Sequence, residues 1–584
     1  MRKLTLLLLS ILIVGAFALP VAAVQVDDLT ALADYFPEDA PFFAAFNIAD
    51  EHLDTIDAVI EQVTTALPNA DSGSLREALD YLASSIDRGS TFDESIRPWL
   101  GDVAAFGFMP LAQTDRFNDP IALIAVSITD RAAAEAYFNE AMPSNAYDVT
   151  EEADYTLYEE EDGNRHFVFR DDVILLASDL SALEDGAVQE SSLRAADGFN
   201  AAVDMLPLSD YNGVIYLDTP ALVETAMLAS MKEMMDEVGD VEIFGQQMQT
   251  AMQMMDFYEA QAIGLTILDE RSLTLDFSAP LNFAALTDFP IDPFQYGKTP
   301  VNLDIARFVP AGTPLVGFGT NLRDAYDATL QQFTALFEMQ QDMNAAMEGD
   351  FEDFQTAIWG LEFLVRGITG LELREDILEW MDGTYAFYLG LSPTAADASN
   401  VFAALQKFPV DFGLVVEVTD AEGAQTLMSG LISNLADLPA NAAEDVTITT
   451  EQINGADAVS IVIDTNSVPE TVELMVGGND QVFAVGTRRA VEAALNPRAG
   501  LDSDPAFAQA TQYALADTYS LMYMSGEGLL PIARLIESAG SDSEEAAAAF
   551  EGVFSLISSA SISGVLVEDD GVIGRAVLTL PAQQ

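Results

Sequence analysis

Cysteine is absent from all 584 residues. That excludes disulfides, thiolate zinc sites, cysteine nucleophiles and attachment of a lipid through cysteine. Histidine occurs only as His52 and His166, both in the first half of the chain, so a histidine-dependent triad or metal site repeated along the sequence is not supported. Each histidine reads as a surface or packing residue. Lysine occurs four times, at Lys3, Lys232, Lys298 and Lys407, among 23 basic residues set against 95 carboxylates, and the formal net charge is −72. Such a field opposes approach to DNA, RNA or an anionic membrane surface, which excludes them as partners. An apolar ligand or an envelope protein stays compatible with it. No G-x-S-x-G elbow, H-E-x-x-H helix or EF-hand loop occurs, and the P-loop-like Gly297-Lys298-Thr299 has Asp292 where that motif needs glycine.

What is present is apolar. Half of the residues are hydrophobic and only 20% are charged, a balance that builds a sizeable core rather than a disordered chain. The length predicts more than one domain. Arg2 and Lys3, the apolar run from Leu4 to Leu19, and the ending Pro20-Val21-Ala22-Ala23 have the order of an export signal over residues 1–23, with cleavage near Ala23. Retention as an N-terminal anchor is the alternative, because the run is nearly long enough to span a bilayer. The expected location is therefore extracellular or in the cell envelope.

Self-similarity organises the rest. Pro37 and Pro310 each precede an apolar strand, and Trp99 and Trp380 each stand just before another. Val126-Ser127-Ile128-Thr129-Asp130 and Val416-Glu417-Val418-Thr419-Asp420 each open a helix. Val173 to Ala177 matches Val482 to Gly486, Tyr216 matches Tyr523, and Gly264 matches Gly564. Six matches in one order predict two tandem homologous halves, 27–283 and 303–581. Between them, 284–302 holds Pro290, Pro293 and Pro300 and reads as an extended connector.

Short strands and helices interleave in each half. Phe42 to Ile48 reads as a strand and Ala49 to Leu67 as an amphipathic helix. Arg131 to Met142 reads as a helix that Thr129 or Asp130 caps. Asp162-Gly163-Asn164 predicts a hairpin, as do Asp269-Glu270-Arg271 and Asp569-Asp570-Gly571, so each half closes with one. Tight turns between adjacent strands mean antiparallel pairing. The expected class is α+β, each half a largely antiparallel sheet with packed helices. An amino-terminal signal, the phrase Phe36-Pro37-x-x-Ala40-Pro41 leading into a strand, and acidic α+β content together resemble the exported bacterial proteins grouped as domain of unknown function 3352. That resemblance implies an envelope or extracellular location in a bacterium and brings no catalytic residue with it.

Two groups of residues are candidate sites. Asp148, Glu151, Glu152 and Asp154 open the densest acidic stretch, and hard cations take many oxygens, so weak divalent-cation binding is expected there if anywhere. No other cofactor is expected. Strand alternation disperses such ligands, and a solvated edge is the competing reading. Met227, Met231, Met234 and Met235 fall at helical spacing, and Met248, Met252, Met254 and Met255 follow. Methionine fills irregular cores and also lines surfaces that remodel around apolar ligands. Core filling is the first reading and soft-metal binding a third; since charged and amide flanks give these helices a wet face, some of Met234, Met235, Met254 and Met255 are expected to edge a groove that accepts an apolar ligand. The expected function is an exported, acidic, non-enzymatic binding or structural module. A carboxylate-based hydrolase acting on an extracellular polymer is the alternative.

Overall fold

The computed structural model describes residues 23–57, 74–86, 90–108, 121–141, 147–160, 166–180, 183, 191–222, 259–269, 271–283, 299–343, 360, 362–363, 365–367, 369–391, 410–436, 446–463, 472–530, 557–567 and 570–581. Residues 1–22, where the export signal is expected, lie outside these. Among the described residues no helix is long and apolar enough to cross a membrane. The chain divides into two compact units, one of residues up to 285 with Val567–Ile573, the other mainly Leu286–Leu566 with Gly574–Gln584.

Among the described residues, the first unit's main sheet has ten strands: β1 Phe42–Asn47, β2 Leu100–Phe108, β3 Ala122–Ile128, β4 Tyr147–Glu151, β5 Thr156–Glu160, β6 His166–Phe169, β7 Val173–Ala177, β8 Gly213–Asp218, β9 Ala260–Asp269 and β10 Ser272–Pro280. Their ladders are all antiparallel and run in the order β4, β5, β6, β7, β3, β2, β1, β8, β9, β10. A separate two-residue ladder pairs Val24–Gln25 with Asp210–Tyr211. The helices are α1 Leu75–Ile86, α2 Arg131–Ala141 and α3 Asp197–Asp204. Alanine-rich α2 starts where Asp130 accepts from the Ala133 N–H at 3.0 Å, a side-chain cap that satisfies an orphan donor. Of the expected helix from Ala49 to Leu67, residues 50–57 are helical and the remainder lies outside the described residues.

Among the described residues, the second unit's strands are β11 Leu315–Thr320, β12 Thr384–Leu391, β13 Val410–Glu417, β14 Val446–Ile453, β15 Ala456–Ile463, β16 Val472–Gly478, β17 Val482–Thr487, β18 Ser520–Ser525 and β19 Ser559–Val567, and β20 Gly571–Thr579 is divided, with Gly571–Ile573 counted in the first unit. Antiparallel ladders run in the order β14, β15, β16, β17, β13, β12, β11, β18, β19, and the Ser558 N–H, just before β19, donates at 2.7 Å to the carbonyl of Thr579 at the end of β20. The helices are α4 Leu322–Met343, α5 Ala421–Ala436, α6 Arg488–Leu495 and α7 Pro505–Thr511. Asp504 caps α7 by accepting from the Ala506 N–H at 2.9 Å, with Pro505 at the first helical position, where a missing N–H costs nothing. The class is α+β with extensive antiparallel sheet.

In both units alternate residues of the central strands face a core closed by a short helix. Phe43, Phe199 and Tyr216 pack edge to face in the first, with Phe199 and Tyr216 ring centroids 5.0 Å apart. In the second, Phe507 and Tyr523 pack edge to face with centroids 5.1 Å apart, and Phe318 lies tilted against Phe507 at 5.8 Å. Such aromatic contacts add about 0.5–1.5 kcal/mol beyond the area they bury.

Candidate functional site

Residues directly opposite one another in a sheet share a face. Val316, Ala386, Tyr388, Leu521 and Tyr523 point into the second unit's core and are almost wholly buried, so their strand neighbours face the other way. Gly317 stands opposite Phe387 on one side and Met522 on the other, and Met522 stands opposite Ile562. This row crosses four strands, and its three side chains are exposed: Phe387 by 45%, Met522 by 41% and Ile562 by 50%. The rows on either side are Tyr385, Gly319, Ser520, Gly564 and Leu389, Leu315, Met524, Ala560. None of these twelve positions holds a charged residue, although the chain is strongly acidic.

The middle of this face is a trough. Among the described residues, a Cβ built on Gly317 would meet nothing nearer than the Phe387 carbonyl oxygen at 4.0 Å, whereas one on Gly319 would strike the Tyr385 ring. Gly317 is thus an open floor, Tyr385 closes one end, and Phe387 and Met522 form the walls. At about 3.4 Å per residue the floor from Leu315 to Gly319 is about 14 Å long, and two strand spacings set the walls about 10 Å apart. The same sheet positions in the first unit are filled. There Phe42, Ala44 and Phe46 line the middle strand, Ala44 is fully buried, and Phe42, Phe106 and Phe108 cluster with centroids 5.0–5.5 Å apart.

A second feature, in the first unit, is polar and buried. His52, on the helical residues 50–57, is 2% exposed, and its Nδ1 lies 3.3 Å from Asn212 Nδ2. Asn212 Oδ1 accepts from the Thr266 hydroxyl and the Ile267 N–H, both at 3.2 Å. The Asn212 amide nitrogen therefore donates to His52, whose proton must sit on Nε2. Burial holds the His52 imidazole at a pKa of about 4, well below its usual 6.5, because the charged ring would lose its hydration. A cavity of ≈ 30 Å³ lies among His52, Asn47, Asn212 and the apolar Leu53, Ile56 and Leu265, room for about one water. Nearby, Arg76 pairs with Asp50, Asp54 and Asp93, and Arg97 pairs with Asp50 and Asp102, pinning the helix start to its neighbours.

The residues singled out from sequence have various places. Asp148 and Glu151 lie exposed on β4, with Glu152 and Asp154 exposed in the turn that follows. Among the described residues no group of three or more His, Asp or Glu is arranged to hold a metal ion. Met234, Met235, Met254 and Met255 lie outside the described residues, as do Met227, Met231, Met248 and Met252. His166 sits buried on β6. The trough was missed because methionine was read at helical spacing. Met522 and Met524 repeat at strand spacing, and Leu315-Val316-Gly317-Phe318 is apolar on both faces where a half-solvated strand would alternate.

The family described as Protein of unknown function (DUF3352) matches residues 4–541. The chain belongs to this family. Membership in DUF3352 extends across both units described above and assigns neither an activity nor a ligand. No curated protein and no solved structure matches the chain.

Proposed function

We propose that this chain is an exported, acidic, non-enzymatic binding module of the bacterial envelope or exterior, built of two homologous halves, and that the trough on the second half's sheet takes the unbranched hydrocarbon portion of a neutral ligand. The carrying observation is the exposed row Phe387, Gly317, Met522, Ile562, uncharged along its length and open at Gly317. A charged ligand would be stripped of water there without a partner. A single hydrocarbon chain fits between walls about 10 Å apart, and methionine adapts to its shape.

Duplication is supported by register as well as by residue identity. Phe43 faces Gly107 and Tyr216, and 273 residues on Val316 faces Tyr388 and Tyr523. Ser127 faces Val173 as Glu417 faces Val482. One of the six matches is out of step by one residue: Val214 faces Gly264, but at the corresponding place Leu521 faces Ser563 rather than Gly564. Export rests on the basic, apolar and small-residue succession at the amino terminus, and amino-terminal sequencing of the mature chain, expected to begin at Val24, checks it.

Binding of a neutral apolar dye such as Nile red tests the trough. Gly317→Leu should fill the floor, since nothing crowds a side chain there, and reduce dye binding at least tenfold while the melting temperature hardly moves. Unchanged binding by that variant would remove the trough from consideration.

A further inference from the structure

Strand β14 lies at the end of the second unit's sheet, and among the described residues it pairs only with β15. Its eight residues, Val446 to Ile453, are rich in threonine and β-branched residues, lack proline and lysine, and include Glu451 as their one charge. Thr447, Thr449, Thr450 and Gln452 are exposed. The corresponding strand of the first unit, β4, has five residues and the acids Asp148 and Glu151, both exposed. Charge and shortness are how sheets blunt an edge against pairing with another chain. The second edge is longer and carries a single charge, Glu451, which is tied up with Arg488.

Which backbone groups this edge presents follows from its turn. Asn454 and Gly455 join β14 to β15 with φ of 54° and 86°, the two left-handed residues of a type I′ hairpin turn. Such a turn closes on a hydrogen-bonded pair, here Ile453 with Ala456. In an antiparallel ladder bonded pairs alternate with unbonded ones, so Thr447, Thr449, Glu451 and Ile453 bond inward to β15. The N–H and C=O groups of Ile448, Thr450 and Gln452 therefore point away from the sheet. Beside them, Glu451, Glu473 and Glu492 gather around the one guanidinium of Arg488, at 2.6–3.3 Å, leaving that end of the edge negative within a strongly acidic chain.

We infer that β14 is a docking edge that takes an extended, lysine- or arginine-bearing peptide as an additional antiparallel strand. Main-chain hydrogen bonds to Ile448, Thr450 and Gln452 would provide the affinity, and the acid group around Arg488 would select a basic residue. A second copy of this acidic chain would meet electrostatic repulsion at the same place, which disfavours self-pairing.

The test uses the full chain and a fluorescent eight-residue peptide of alternating Val and Thr with one central Lys, followed by polarisation. The expected result is saturable binding that weakens at least tenfold when Glu replaces the Lys and is lost when a proline interrupts the peptide. Thr450→Pro removes an outward N–H and leaves the ladder to β15 intact, so it should abolish binding with the melting temperature unchanged. If Thr450→Pro does not fold, Thr449→Lys, at an exposed position on the same strand, should weaken binding at least tenfold. Equal binding of the proline-interrupted peptide, or undiminished binding by the folded edge variant, would overturn the inference. So would concentration-dependent dimerisation in sedimentation without peptide binding.

Discussion

Lowering the pH from 7 to 5 should weaken the first unit through His52, in a direction that its burial sets. Burial depresses the folded-state pKa of His52 to about 4, against 6.5 in an exposed chain, because its ring sits among Leu53, Ile56 and Leu265 with the Asn212 amide as its hydrogen-bond partner. A depressed histidine pKa means that the unfolded chain binds the proton more readily. The stability is therefore fully present above pH 6.5, declines as the pH falls below that, and is lost by about pH 4. At roughly 1.4 kcal/mol for each pH unit between the two values, the whole loss is on the order of 3 kcal/mol, most of it below pH 6, and the part expressed between pH 7 and 5 is about 2 kcal/mol. Other groups also titrate in this range, so the measurement is a difference. Urea unfolding of the native chain and of His52→Gln, each at pH 7 and pH 5, isolates the imidazole. The variant starts lower, by about 1 kcal/mol for a disturbed buried contact, and should then lose less than the native chain by about 2 kcal/mol. Parallel pH profiles for the two proteins would show that His52 is solvated, and the reasoning from burial would fail.

Two further outcomes follow from the charge and the core. Self-repulsion among 95 carboxylates balanced by 23 basic residues should make the melting temperature rise with added salt as screening shortens the reach of each charge; a flat response between low and high salt would count against that field. Phe199→Ala and Phe507→Ala should each cost about 3–5 kcal/mol in the unit concerned, because each ring is nearly fully buried against a tyrosine at about 5 Å. Calorimetry would register this as a lowered transition for one unit in each variant.

The parts of this fold legible in the sequence are those that local physics decides. Asp130 caps its helix because a carboxylate there reaches a free N–H, and the closing hairpin Ala260–Asp269 with Ser272–Pro280 is announced by its turn. The first strand's start at Ala260 is less legible, because Glu259 to Ile263 hold no turn residue to mark it. Identity misled at Gly264. A Cβ there would lie 2.3 Å from the Tyr211 ring, whereas one at Gly564 would come no closer than 3.3 Å to Tyr519, so the two glycines answer different needs and are not in register. The exposed row was illegible because its members come from β12, β11, β18 and β19, whose adjacency only the ladder order creates. The Asn454-Gly455 turn is legible as a two-residue hairpin pair between β-prone runs.

The buried polar group around His52 has a consequence for how the two halves respond to acid. At the same sheet positions the second unit holds Tyr519 and Val565 in place of Asn212 and Thr266, and Ala325 stands five residues after its strand as His52 does after β1. The strand order is nonetheless alike, so this architecture does not require the cluster. Acid sensitivity through that imidazole is then a property of one half alone. Unfolding at pH 5 should separate into two steps, the amino-terminal unit first, where a single transition is not guaranteed for a chain of two units. A proteolytic cut in mild acid would fall in the amino-terminal half and leave the carboxy-terminal half, with its trough and its open edge, standing.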